Sequence, residues 1–133
     1  IFMQPVVAER RQVGCVRFSH VPQDSHTPRR YRCQPDLALT QREKELNVNV
    51  LPSAEENAIR IRVRPEFTRI RYGEPAYLQL SLTCADEIRR GAEDQSEMGV
   101  FCMLKQPQRE GNLRIALDEY LRFGLEAGIF FVT

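Results

Sequence analysis

A chain of 133 residues, 42% of them hydrophobic and 28% charged, is long enough to bury one core and suits a single domain. A formal net charge of +1 supplies no global pull toward nucleic acid or anionic lipid. No apolar run approaches the roughly 20 residues of a membrane helix, so membrane insertion is not expected. The basic residues are 17 Arg against 2 Lys. Arg is the side chain of planar, bidentate, partly buried ion pairs, so carboxylate pairing is the expected use of most of them.

The opening Ile1-Phe2-Met3-Gln4-Pro5-Val6-Val7 has no signal-peptide pattern and reads as a strand already under way. An N-terminal part of the same protein is therefore expected to precede it. Apolar clusters predict strands at about 5–8 and 14–20, and residues 22–28 are turn chemistry. Arg29 to Cys33 reads as a short extended piece, so residues 1–35 form a strand-rich entry. Asp36 is placed to cap a helix over about 37–46, followed by an exposed connection to residue 57.

Between Ala58 and Pro65, Ile59, Ile61 and Val63 alternate with Arg60, Arg62 and Arg64. Period two predicts a strand with one core face and one arginine face. Leu78, Leu80 and Leu82 repeat that pattern, making 58–83 a strand segment. Thr83 and Asp86 resemble a capping box for a short helix over 84–90, stopped by Gly91. A second short helix is expected near 97–104. Pro107 marks the start of the main helix, whose Leu113, Ala116, Leu117, Tyr120 and Leu121 form an apolar stripe ended by Gly124. Residues 84–133 thus read as a helical cap, with a last strand or tail at 129–132.

No reaction centre stands out. Cys15, His20, His26 and Cys33 offer zinc its preferred atoms, but no two of them sit two to four residues apart, and no metal or cofactor is expected. Cys33 and Cys84 lack an evident base, so neither is read as a catalytic nucleophile. The four cysteines are expected to be reduced. Glu93, Asp94 and Glu97 could pair for hydrolysis, but lack calcium-loop spacing and are expected to meet arginines. Arg60, Arg62 and Arg64 are the best phosphate row, with Phe67 and Tyr72 nearby. Residues 57–77 carry a local +3 and residues 85–99 a local −3, so these arginines and acids are instead expected to form an interface. Nucleic acid is not expected as a partner.

Several longer runs resemble one family. They are Gly14-Cys15-Val16-Arg17-Phe18-Ser19, Thr27 to Pro35, Tyr72-Gly73-Glu74-Pro75, Gly91-Ala92-Glu93-Asp94, Ser96-Glu97-Met98-Gly99, Gln106-Pro107-Gln108-Arg109 and Leu121 to Ile129. Together they look like the C-terminal region of large bacterial proteins that accompany phage-tail-like contractile injection systems. The resemblance implies a mixed, β-rich fold, in which terminal strands of a right-handed parallel β-helix-like solenoid are capped by C-terminal α-helices. It also implies a non-enzymatic structural part of the particle near the baseplate. Its partners would be other particle subunits and the preceding part of the same protein, and its place the cytoplasm, within the particle. The alternatives are a surface-recognition module binding glycan or nucleic acid through arginine and tyrosine, and a hydrolase using Glu93, Asp94 or Glu97.

Overall fold

The computed structural model describes residues 1–129. Its only sheet among those residues is a parallel pair, β1 (Cys15–Arg17) and β2 (Arg29–Tyr31), with Cys15 opposite Arg29 and Arg17 opposite Tyr31. Single parallel bridges extend the pairing from Val7 to His26 and from His20 to Gln34. Both strands stop at the same level because the next residues, Phe18 (φ 46°) and Arg32 (φ 49°), turn left-handed and break the pleat. The link between the strands is tied by side chains. Ser25 Oγ accepts the Val6 N–H at 3.1 Å, and Arg30 donates to the Ser25 carbonyl at 2.7 Å, to Thr27 Oγ1 at 3.0 Å and to Asp36 Oδ2 at 3.1 Å.

Helix α1 spans Asp36–Leu46 and ends at Asn47 in the left-handed conformation (φ 55°), whose N–H reaches the carbonyls of Glu43 and Lys44. Asp36 is not its cap: it lies in the first turn, where its carboxylate suits the positive end of the helix and receives Arg30.

Residues 58–65, expected as a strand, belong mainly to a second helix, α2 (Ser53–Arg62). Ile59 and Val63, four apart, share its buried face, whereas Ile61 is 75% exposed. Glu55 and Glu56 in the first turn and Arg60 and Arg62 in the last match the helix dipole. α1 and α2 pack around Ala38, Leu51, Ile59 and Val63, with Leu39 beside them.

Residues 66–83 are a run of turns and isolated bridges, not a strand. Phe67 pairs antiparallel with Leu80, with Thr68 N–H to the Gln79 carbonyl at 2.8 Å and Ser81 N–H to the Glu66 carbonyl at 2.9 Å. Ala76 (φ 59°) and Leu78 (φ 57°) interrupt the extended backbone, so the leucines do not share one face. Leu80 is buried and Leu82 exposed.

α3 (Asp86–Arg89) follows Ala85, with no side-chain cap; Thr83 instead donates to Glu66 Oε2 at 2.9 Å. Ile88 drops from α3 into a second cluster with Leu80, Cys84 and Met98, flanked by Ile1 and Phe67. A 3-10 turn (Cys102–Leu104) leads into α4 (Gln106–Tyr120), which carries Pro107 in its first turn as expected.

The β-rich solenoid with a helical cap is overturned. The regular sheet consists of two strands of three residues each, and helices begin at Asp36, before most of the expected strands. Three-residue apolar alternations are too short to impose a pleat when dipole charges and an i, i+4 apolar pair favour a helix. The tail expected at 129–132 lies almost wholly outside the described residues.

Candidate functional site

The expected metal and thiol residues are dispersed. His20 is buried, and its Nδ1–H donates to the Phe2 carbonyl at 3.0 Å. Burial, more than any neighbouring group, lowers its pKa and keeps the ring neutral. His26 uses its backbone to bridge Val7. The buried Cys33 thiol donates toward the Val16 carbonyl at 3.4 Å, and Cys15 lies exposed on β1. Among the described residues no group of three or more His, Cys, Asp or Glu side chains is placed to hold a metal ion. All four cysteines are free, and burial pushes the Cys84 thiol up, away from the nucleophilic thiolate.

The acids at 93–97 diverge. Glu93 reaches Arg17 at 3.6 Å across an exposed gap. Asp94 accepts the Ser96 hydroxyl at 2.5 Å and its N–H at 3.1 Å, with Lys105 at 3.4 Å, and these bonds hold its carboxyl down at about 2. Glu97 points inward and is 5% exposed, with Oε1 lacking any partner among the described residues. It lines two cavities. One, of about 350 Å³, is bounded by Leu80, Leu82, Arg89, Pro107 and Leu113; the other, of about 500 Å³, by Met3, Phe18, Phe67 and Val100. Burial raises the Glu97 pKa, and the charge of Arg89 opposes that rise only in part. Arg89 itself is engaged by Glu110 at 3.2 Å.

The arginine row does not form, because a helix sends alternate residues to different sides. Arg60 folds back on Glu56 at 2.5 Å, and Arg62 crosses to Glu87 and so ties α2 to α3. Among the described residues Arg64 has no carboxylate in ion-pair reach. Glu87 is thus the one acid of residues 85–99 that meets the row.

Sequence reading missed the outward face of β1 and β2. The parallel register brings Cys15, Arg17, Arg29 and Tyr31 together around a shallow depression of about 370 Å³. Arg17 stacks 5.3 Å from the Tyr31 ring centre and 5.6 Å from that of Phe18, and the two rings meet edge to face at 5.7 Å. Only the pairing of residues 14 apart reveals this group, and spacing along the chain did not signal it.

The second half of α4 is also outward. Ile115 and Tyr120 are exposed, as are Phe123 and Leu125 beyond the helix end, and Pro107 is the helix's only buried residue. The apolar stripe therefore covers little of the described chain. Comparison with known protein families, curated proteins and solved structures gave no match. No helix among the described residues is long and apolar enough to cross a membrane.

Proposed function

We propose that the chain is a non-enzymatic packing component of a phage-tail-like contractile injection particle, joined to neighbouring subunits through apolar side chains left outside its own cores. The observation that carries the packing reading is the distal end of α4 and the segment just after it. There Ile115, Tyr120, Phe123 and Leu125 are exposed within about a dozen residues of chain. Large apolar side chains left exposed cost solubility unless another surface covers them. The choice of particle rests on the sequence runs that resemble the family. The divergence of Glu93, Asp94 and Glu97 and the burial of Cys33 and Cys84 favour packing over hydrolysis or thiol chemistry.

The test is assembly. Particles purified from the bacterium that makes this chain should contain it at fixed stoichiometry with the sheath and tube. Ile115→Glu with Phe123→Glu should release it from those particles while leaving the melting of the isolated chain unchanged. If the wild-type chain never co-sediments with sheath and tube, the particle assignment fails. If the double variant co-sediments as well as wild type, the α4 surface is not the joint.

A further inference from the structure

We propose that the outward face of the β1–β2 pair binds single-stranded nucleic acid, with a base packing against Arg17 and Tyr31 and backbone phosphates meeting Arg17 and Arg29. Three observations support the proposal, two of them on the charge of the N-terminal segment and one on the face itself. The first is composition. Residues 1–35 contain Arg10, Arg11, Arg17, Arg29, Arg30 and Arg32 against Glu9 and Asp24 alone, a local +4, which leaves −3 on the remaining residues. The near-zero total conceals a polarised chain, and a local positive field is what draws a polyanion.

The second observation is pairing. Among the described residues Arg10, Arg11, Arg29 and Arg32 have no carboxylate partner, while Arg30 is taken up by Asp36. Arg17 meets Glu93 only at 3.6 Å between exposed side chains, a pair that phosphate can displace at little cost.

The third is the platform itself. The Arg17 guanidinium lies over both rings, Phe18 and Tyr31 meet edge to face, and Tyr31 stays 48% exposed. Single-strand binders use such flat faces, aromatic or guanidinium, to receive splayed bases without reading sequence. A purely carboxylate ligand would use the arginines and leave the ring without a role. The pleat explains why Cys15, Arg17, Arg29 and Tyr31 point the same way, since alternate residues of paired strands share a face.

Fluorescence anisotropy with a labelled oligothymidylate of about 20 nucleotides at low salt tests the proposal. Saturable binding is expected, weakened about 5- to 100-fold by Tyr31→Ala and restored by Tyr31→Phe, which keeps the ring. Arg17→Ala and Arg29→Ala should each make the plot of log affinity against log salt shallower by about 0.7. Tyr31, Arg17 and Arg29 are exposed, so the variants should melt like wild type, and that is checked first. Absence of saturable binding at low salt overturns the proposal. So does binding that Tyr31→Ala leaves intact and that polyglutamate displaces as readily as unlabelled oligonucleotide, because that pattern describes a surface for acidic protein.

Discussion

Glu97 and Asp94 lie three residues apart and answer to pH in opposite directions. Asp94 has its carboxyl lowered from 3.8 to about 2 by the Ser96 hydroxyl and N–H, with Lys105 adding to the effect. The stability it contributes is therefore full above about pH 4 and is lost as the pH falls through about 2. Glu97 has its carboxyl raised above 4.5 by burial, so just above that pH the folded state keeps a proton that the unfolded chain gives up. Its presence costs stability as the pH rises through and above that value. Glu97→Met, which removes the charge and the orphaned oxygen together, should stabilise the protein by about 1 kcal/mol at pH 7. Urea midpoints measured at pH 7 and pH 4 should show that gain shrinking at the lower pH. For Asp94→Asn the deficit should be present at pH 5 and disappear toward pH 2. No sequence pattern separated these two acids. Both stand in one polar segment, and only the fold turns one toward Ser96 and the other inward, to the two cavities lined by Leu80 and by Phe67.

At the scale of elements, what the sequence disclosed depended on how many signals agreed. α1, α3 and the start of α4 were placed by the breakers beside them, Pro35, Gly91 and Pro107, although the side-chain caps expected from Asp36 and Thr83 do not form. α2 was misread because Ile59, Ile61 and Val63 fit period two, although the acids of its first turn and the arginines of its last already argued for a helix. The turns at 66–83 were hidden for another reason: Ala76 and Leu78 adopt a backbone conformation that their residue types do not advertise.

The stop after α3 was foreseen at Gly91, and its geometry is demanding. A Cβ there would overlap the Glu87 carbonyl and the Met98 methyl. Gly91→Ala should therefore destabilise by about 2 kcal/mol or more, read as a lowered urea midpoint. The same substitution at Gly111, where added bulk meets open space on α4, should be neutral or stabilising.

At the scale of the molecule, the clustered apolar burial among the described residues is divided, with Val21 and Cys33 buried outside both clusters. Ala38, Leu51, Ile59 and Val63 make one cluster, and Leu80, Cys84, Ile88 and Met98 the other, with no residue in common. Ile88 is fully buried, so Ile88→Ala should cost about 3 kcal/mol, measured by thermal melting. Arg62→Ala removes the tie between α2 and α3. Because that pair is partly exposed it should cost only about 0–1 kcal/mol. The Arg17, Arg29 and Tyr31 face was illegible at this scale too, since it needs both a parallel register and the charge asymmetry that the total obscures.

Two small clusters in place of one large core also set how the chain comes apart. Native-state hydrogen exchange should therefore sort the amides into two bands, one for α1 and α2 and one for α3 and the segment after it. A chain built this way can open in one half while the other stays folded, coming apart in steps where a single core would fail at once.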